Sequence, residues 1–578
     1  MTDFKTILLK DSRLADITDN LTFAVQSGAA NTTYQQFTAV STSNSSVTFT
    51  IQIPSESIVI NRELLISTGI TFTLFTGAPV ANGATAIQWG SNCALQAFPF
   101  NKLITTATAT INNTTVSLNE QDVLDCLLRF NDSRELYRYN GMTPTLPDQA
   151  YYNYQDGVGA NNNPLANWTN QSYDLDQAPR GAFPVSITAY TSPNAAGPWT
   201  LSTTGALNST GSAKYFAFVV NTQVIEPLFL SPFIFGNPEY NCGGIAGVNT
   251  INFVFNIDST AKRLMSVASS VGLNSSASIT LGDAVGAPTF SNPFQGGSTQ
   301  MLFNFLSTQA SDLIPSRNVV PYMDYPRYLS QSTQNAILQP NVATPITSQN
   351  IQLNQLPDYF IIVVRKPMSQ QTIYDSASFL TISKISINLN NQSGLLASAT
   401  QADLWRMSVN NCSTQSWAEF SGSAVSTNIT QGVPATIDTT GSILILNPPK
   451  DLSLPDYLSS SSIGQFNFQF QITCTNTTAT AFQPEILVVT ANSGIFVTQA
   501  GSSVIYTGIL TKQMVVDTKA EKSADPVSSA EFKRMVGGKI HHMNSGVIKR
   551  MAQQLGKKLH FNGGASGASS GGKMSKFC

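Results

Sequence analysis

The carboxylates Asp122, Asp125, Asp132 and Glu135 are close enough in sequence for paired general acid–base chemistry, which sets one protonated carboxyl beside one ionised one. They are interleaved with Leu124, Leu127 and Leu128 at helical spacing, and acids so placed are expected to form the solvated face of an amphipathic helix. Nucleophilic catalysis needs a base, yet His541, His542 and His560 are the only histidines and all lie near the C-terminal end. A histidine-free body excludes a Ser-His-Asp or Cys-His nucleophile, a His-based zinc site and a histidine general base. No GxxxxGK[ST] phosphate loop is present, and Gly571-Gly572-Lys573 sits in a Gly/Ser-rich stretch with no strand before it. Cys93, Cys126, Cys242, Cys412, Cys474 and Cys578 lack CxxC or metal-ligand spacing and read as reduced thiols. These residues describe a protein that is not an enzyme and that holds neither cofactor nor metal.

The remaining chemistry is electrostatic. Up to Gly538 the chain has a net charge of −9, whereas residues 539–578 carry seven Lys and Arg and no acid. Ile540, Met543, Val547, Met551 and Leu555 recur every three to four residues with Lys549, Arg550, Lys557 and Lys558 among them, the pattern of a basic amphipathic helix. Such a helix binds nucleic acid through phosphates, lies on an anionic membrane, docks on the acidic body of a neighbouring subunit, or serves only as a solubilising extension. Nothing in it specifies base recognition.

The chain has 578 residues, so two compact modules plus extensions are expected rather than one oversized core. Only 11% of residues are charged against 42% hydrophobic, which leaves Asn, Gln, Ser and Thr to cover the surface. Neutral polar surface suits extensive protein–protein contact. No apolar run reaches the length of a membrane span, and Met1-Thr2-Asp3-Phe4-Lys5 lacks a signal-peptide pattern, so synthesis and retention inside a cell are expected. Asn-x-Ser/Thr triplets such as Asn112-Asn113-Thr114 are then a by-product of composition.

From about Ser46 to Gln499, short β runs alternate with Gly, Pro, Asn and Ser clusters, the rhythm of an all-β sandwich protein. Ser46 to Ile53, Ile251 to Ile257 and Phe466 to Ile472 alternate with period two, which sends one face to a core and the other to solvent or a partner. The order of strand, Asn-Asn turn, short helix carrying an Asp, and Phe-x-Phe strand occurs twice, through Asn112-Asn113 with Asp122 and through Asn390-Asn391 with Asp403. Two related modules are the economical reading; chance matches between alternating Asn/Phe strings are the competing one. The expected layout is an N-terminal arm over 1–45, a first module over 46–271 with a loop insertion near 140–210, and a Gly/Ser/Pro linker over 272–297. A second module then covers 298–510, followed by a connector over 511–538 and the basic tail over 539–578. The insertion, with clustered Tyr151, Tyr152 and Tyr154, reads either as an outward functional loop or as passive packing over the sandwich.

Three blocks carry a resemblance: Leu356 to Met368, Ile385 to Leu396 and Ser398 to Ser408. They resemble the second jelly roll of double-jelly-roll major capsid proteins from the polinton, adintovirus and virophage group. Phe98-Pro99-Phe100-Asn101-Lys102-Leu103-Ile104 and Ala109 to Asn113 resemble the corresponding part of the first roll, and the likeness spans most of residues 40–510. It implies two consecutive eight-stranded jelly rolls with short helices and loop insertions, in a homotrimer forming a pseudo-hexagonal capsomer. Such capsomers tile an icosahedral shell around double-stranded DNA, with 140–210 as the outward tower. The implied partners are neighbouring capsomers, penton and minor capsid proteins and a viral cysteine protease; the implied location is the virion capsid, assembled inside the host cell.

The protease of such relatives prefers Met/Ile/Leu-x-Gly-Gly, and Met535-Val536-Gly537-Gly538 followed by Lys539 resembles that site where the charge changes sign. Phe561-Asn562-Gly563-Gly564 departs from the pattern at Phe561. The terminal Lys576-Phe577-Cys578 faintly resembles basic adenoviral peptides that activate the protease, although the family order is Cys-Phe. The alternative function is a lectin-like or adhesive double sandwich, against which the missing export signal and the basic tail count. Single-jelly-roll capsid proteins would carry their basic arm at the N-terminus.

Overall fold

Ser46–Gln52 places an apolar side chain at every second position, and in the computed structural model it is a strand that buries Val47, Phe49 and Ile51 and turns Thr50 and Gln52 outward. The structure describes residues 31–511, apart from 131–184 and a number of shorter segments, together with Lys5–Leu8 and Phe23–Ser27. The first sandwich contains β1 (Asn31–Thr38), β2 (Ser46–Gln52), β3 (Leu65–Phe75), α1 (Pro99–Leu103), β4 (Ile104–Ile111), β5 (Thr114–Leu118) and α2 (Glu120–Phe130). It continues with β6 (Val185–Ser192), β7 (Tyr215–Pro227), β8 (Thr250–Ile257), β9 (Ser278–Leu281) and β10 (Gln300–Ser307). The second contains β11 (Asn318–Asp324), β12 (Ala343–Thr347), β13 (Ile351–Gln355), β14 (Tyr359–Arg365), β15 (Thr381–Leu389) and β16 (Gln392–Leu395). The helices α3 (Gln401–Asn410) and α4 (Trp417–Ser421) follow, then β17 (Leu444–Leu446), β18 (Ser462–Thr475), β19 (Glu485–Gln499) and β20 (Ser502–Thr507).

Each sandwich has two antiparallel sheets, and the central strands of the two sets correspond in chain order. In the first, β5-β4-β8-β2 faces β6-β7-β3-β10-β1; in the second, β16-β15-β18 with β12 and β13 faces β17-β14-β19-β11. This is the expected double jelly roll. The repeat extends to single hydrogen bonds. Asn112 and Asn390 follow β4 and β15 at φ 52 and 51, and each backbone N–H donates to the neighbouring strand, to Thr250 O of β8 at 2.9 Å and Asn467 O of β18 at 2.8 Å. Each Oδ1 accepts a backbone N–H, from Asn249 and Asn467 respectively, at 2.8 Å. Asn is favoured because it tolerates the left-handed region and bonds locally. Asn390→Ala is expected to cost about 2 kcal/mol and Asn390→Gly about 1 kcal/mol, since glycine restores the backbone freedom but not the Oδ1 acceptor; urea unfolding of both variants checks the order.

The strand pairings place several boundaries elsewhere than expected. Asn31–Thr38, read as part of an arm, pairs along its length with Gln300–Ser307, read as part of the second module, and both belong to the first sandwich. Ser278–Leu281, within the expected linker, pairs with β3. Alternation marks Met301, Phe303 and Phe305 as one buried face but does not say which sandwich they join. Of the expected insertion, 140–184 lies outside the described residues, while Val185–Ser192 is a strand on β7. The cysteine expectation is corrected in part: Cys126 and Cys474 are free and buried, but Cys412 is disulfide-bonded. Pairing depends on proximity in space, which scattered sequence spacing does not exclude. Among the described residues no helix is long and apolar enough to cross a membrane.

Candidate assembly seam between the two sandwiches

β14 runs Phe360 to Val364 without a polar residue, which an antiparallel strand with one wet face would not do. Phe360, Ile362 and Val364 belong to the second core, whereas Ile361 and Val363 belong to the core built around the first sandwich. β17 and β19 divide in the same way, with Leu444, Leu446, Ile486 and Val488 on one side and Ile445, Leu487 and Val489 on the other. β14, β17 and β19 are therefore dry on both faces along these residues. Burying Ile361, Val363, Ile445, Leu487 and Val489 contributes on the order of 10 kcal/mol as an upper bound, which makes apolar packing the dominant attraction across the seam.

The first-sandwich side of that seam is α2, and here the sequence expectation is overturned. Asp122 and Asp125 lie on no solvated face; every α2 residue except Gln121 is buried, because the second sandwich covers the side that a helix in a single module would expose. Asp132 and Glu135 lie outside the described residues. Asp122 bridges Arg327 and Arg365, the latter at 2.5 Å, and Arg365 Nε donates to Glu485 Oε1 at 2.6 Å. At the other end Phe130 meets Tyr359 edge-on at 5.0 Å, and Arg129 O accepts Thr414 N–H at 2.8 Å. Beyond the helix, Ser503 N–H donates to Asn113 Oδ1 at 2.7 Å and Ser503 Oγ to Ile111 O at 2.6 Å, which ties β20 to the β4–β5 turn.

The Phe98 to Ile104 block anchors α2 from below. Phe98 packs edge-on against Phe229 at 5.2 Å in a small cluster with Leu124 and Leu128, while Lys102 forms a buried ion pair with Asp125. α1 has no side-chain cap of its own; the Glu226 carboxylate accepts the N–H groups of Phe100 at 2.8 Å and Asn101 at 3.0 Å, and the Asn101 amide at 2.8 Å. Burial pushes Glu226 up to about 7 in spite of those donors. Burial also raises Glu120 well above its usual range, with Arg263 offsetting only part, and neither carboxyl oxygen has a hydrogen-bond partner among the described residues. Burial would raise Asp125 too, but Lys102, Arg129 and Arg263 outweigh it and hold that carboxyl low.

These shifts make stability depend on pH with a definite sign. An acid that binds its proton more tightly folded than unfolded loses stability as pH rises from its ordinary value, so Glu226 destabilises between 4.5 and about 7, by about 3 kcal/mol in all. Glu120 acts in the same direction. Asp125 opposes them only at the acid end, its stabilisation being lost as pH falls below its ordinary 3.8. Thermal melts are expected to show a higher Tm at pH 5 than at pH 8, with a flatter profile in Glu226→Gln; a Tm that is level or rises across that range contradicts the assignment.

The residues singled out for the tail, Met535, Gly537, Gly538 and Lys539 at the cleavage motif and Lys549, Arg550, Lys557 and Lys558 as basic contacts, lie outside the described residues. Sequence reasoning passed over Arg365, Arg327, Glu485, Lys102 and Glu226. One signal was available for Arg365, a guanidinium closing an otherwise apolar run.

Residues 2–306 match the family described as Sputnik virophage major capsid protein 1st domain, and residues 325–494 match the major capsid protein V20 C-terminal domain. The chain is 27% identical over 571 residues to the putative capsid protein V20 of Sputnik virophage, covering 96% of this chain and 88% of that protein. The cryo-EM structure of the Sputnik virophage is similar with a TM-score of 0.68 at 25% identity, covering 90% of this chain and 97% of that one. The crystal structure of mavirus major capsid protein shares the fold, with a TM-score of 0.63 at 16% identity over 90% of this chain and 100% of that one. These relatives are structural capsid proteins, not enzymes.

Proposed function

This chain belongs to the Sputnik virophage major capsid protein family, and from that premise we propose that it trimerises into pseudo-hexagonal capsomers tiling an icosahedral shell around double-stranded DNA. The observation that carries the reading is the dry seam. A sheet buried on both faces joins two sandwiches of matching topology into one block, and such a block offers each neighbour two similar faces. The outer faces of β8 and β18 support it, since Asn252, Asn256, Gln465, Asn467 and Gln471 are exposed and uncharged.

In this reading 511–538 is a connector, and 539–578 is a tail removed by a viral cysteine protease between Gly538 and Lys539 after recognition of Met535 and Gly537. Before cleavage, Lys549, Arg550, Lys557 and Lys558 neutralise DNA phosphates along the inner wall. Penton and minor capsid proteins complete the lattice, and synthesis and assembly take place inside the host cell. Sedimentation of the full chain and of residues 1–538 is expected to give about three times the 62.0 kDa chain mass for the former and a proportionate trimer for the latter; single copies at all concentrations contradict the capsomer. Intact-mass analysis of mature particles is expected to find a chain ending at Gly538, and an unshortened chain there contradicts the cleavage.

A further inference from the structure

The last third of β19 is hydrogen-bonded to β11 on one side and to β20 on the other, and all three strands carry apolar residues on both faces. Toward the first sandwich, Val320, Tyr322 and Phe496 join its core and Ile505 packs against it. On the opposite face the register aligns Val319, Val497 and Val504 in one row and Pro321, Ile495 and Tyr506 in the next. These six residues belong to neither large core, and Val319, Val504 and Tyr506 are 49%, 43% and 47% exposed. A strand apolar on both faces requires a contact on each, as β14 has. Here one of the two contacts is still to be found.

The shape and position of the patch select its occupant. Its outer strands lie about 10 Å apart, the width of a single α-helix with its side chains. The chain also leaves the described structure beside it: β20 ends at Thr507, and Leu510–Thr511 then pairs with Ser462 and Ile463 of β18. Residues 512–539 extend to about 90 Å, far more than the return to the patch requires. They lead into the stripe of Ile540, Met543, Val547, Met551 and Leu555, with Lys549 on the opposite side of the helical pattern. Sixteen residues interrupted by Gly546 make a marginal helix in water, so that helix depends on an apolar surface on which to bury its stripe.

We propose that residues 540–555 of this chain dock as a helix along Val319, Ile495, Val504 and Tyr506, burying their apolar stripe and leaving Lys549 outward. The connector holds the segment at a high effective concentration, so weak apolar contacts suffice to keep it in place. Hydrolysis of the Gly538–Lys539 peptide bond, which leaves a carboxylate and an amine, removes that tether. The segment then leaves as a free peptide and the patch is uncovered. The contact forms within one copy, so it goes beyond the capsomer reading and stands or falls separately from it.

The test is amide hydrogen exchange on full-length chains: wild type, Val504→Lys with Tyr506→Lys on the patch, and Val547→Asp with Met551→Asp on the tail. Amides of 540–555 are expected to exchange about ten-fold or more slowly in wild type than in either variant, with β19 equally protected in all three. Residues 540–555 exchanging in wild type as fast as the glycine-rich stretch after Gly563 overturn the proposal. Protection that survives the patch substitutions also overturns it, since the tail is then shielded elsewhere. A third contrary result is a tail that exchanges freely while β11 and β20 gain protection with protein concentration, which assigns the patch to a second copy. Should the two lysines unfold β20, Val504→Ser with Tyr506→Ser keeps the strand uncharged and is expected to read the same loss of tail protection.

Discussion

Replacing Arg365 with Met is expected to lower the unfolding free energy by about 3–5 kcal/mol, because it strands the buried Glu485 carboxylate and removes one of the two cations on Asp122. Asp122 would keep Arg327, which is partly exposed, but Glu485 would lose its Nε donor within the seam. The loss would follow from uncompensated charge rather than from the worth of the pair. Converting Asp122, Arg365 and Glu485 together to Leu, Met and Leu is therefore expected to restore most of the stability, since apolar packing already dominates the seam. Urea unfolding of the single and triple variants checks both statements. A triple variant as unstable as the single one contradicts the division between packing and charge.

Phe468→Ala is expected to cost about 3–5 kcal/mol, whereas Gln471→Ala on the same strand should stay within about 0.5 kcal/mol. Phe468 is fully buried and stacks on Phe360 at 4.2 Å and 6°, joining the two sheets of the second sandwich across its core. Gln471 lies on the outer face of β18. The contrast is read from paired unfolding midpoints. Equal effects would mean that the period-two assignment of this strand is wrong.

Much of this architecture was legible because period two and turn chemistry are local. Phe466 to Ile472 and Ile251 to Ile257 announced their faces, and the Asn-Asn turns announced the repeat through a backbone requirement that few residues meet. What the sequence concealed depends on the second sandwich. Asp122 and Asp125 sit among leucines as solvated acids do, and only the covering sheet turns them inward. β10 pairs with β1 in the first sandwich, which its alternation leaves open because that pattern fits either core. Glu226 gave no sign of capping a helix more than a hundred residues away, since long-range caps leave no local pattern. Leu356 to Met368 carries a second signal beside its family resemblance: a strand apolar on both faces requires a contact on its far side.

Electron microscopy of the purified chain, concentrated as residues 1–538, tests the central claim most directly. Threefold particles with six sandwich-sized lobes that pack into hexagonal sheets or closed shells are predicted. Isolated two-lobed single copies, persisting at every concentration and salt, would contradict it.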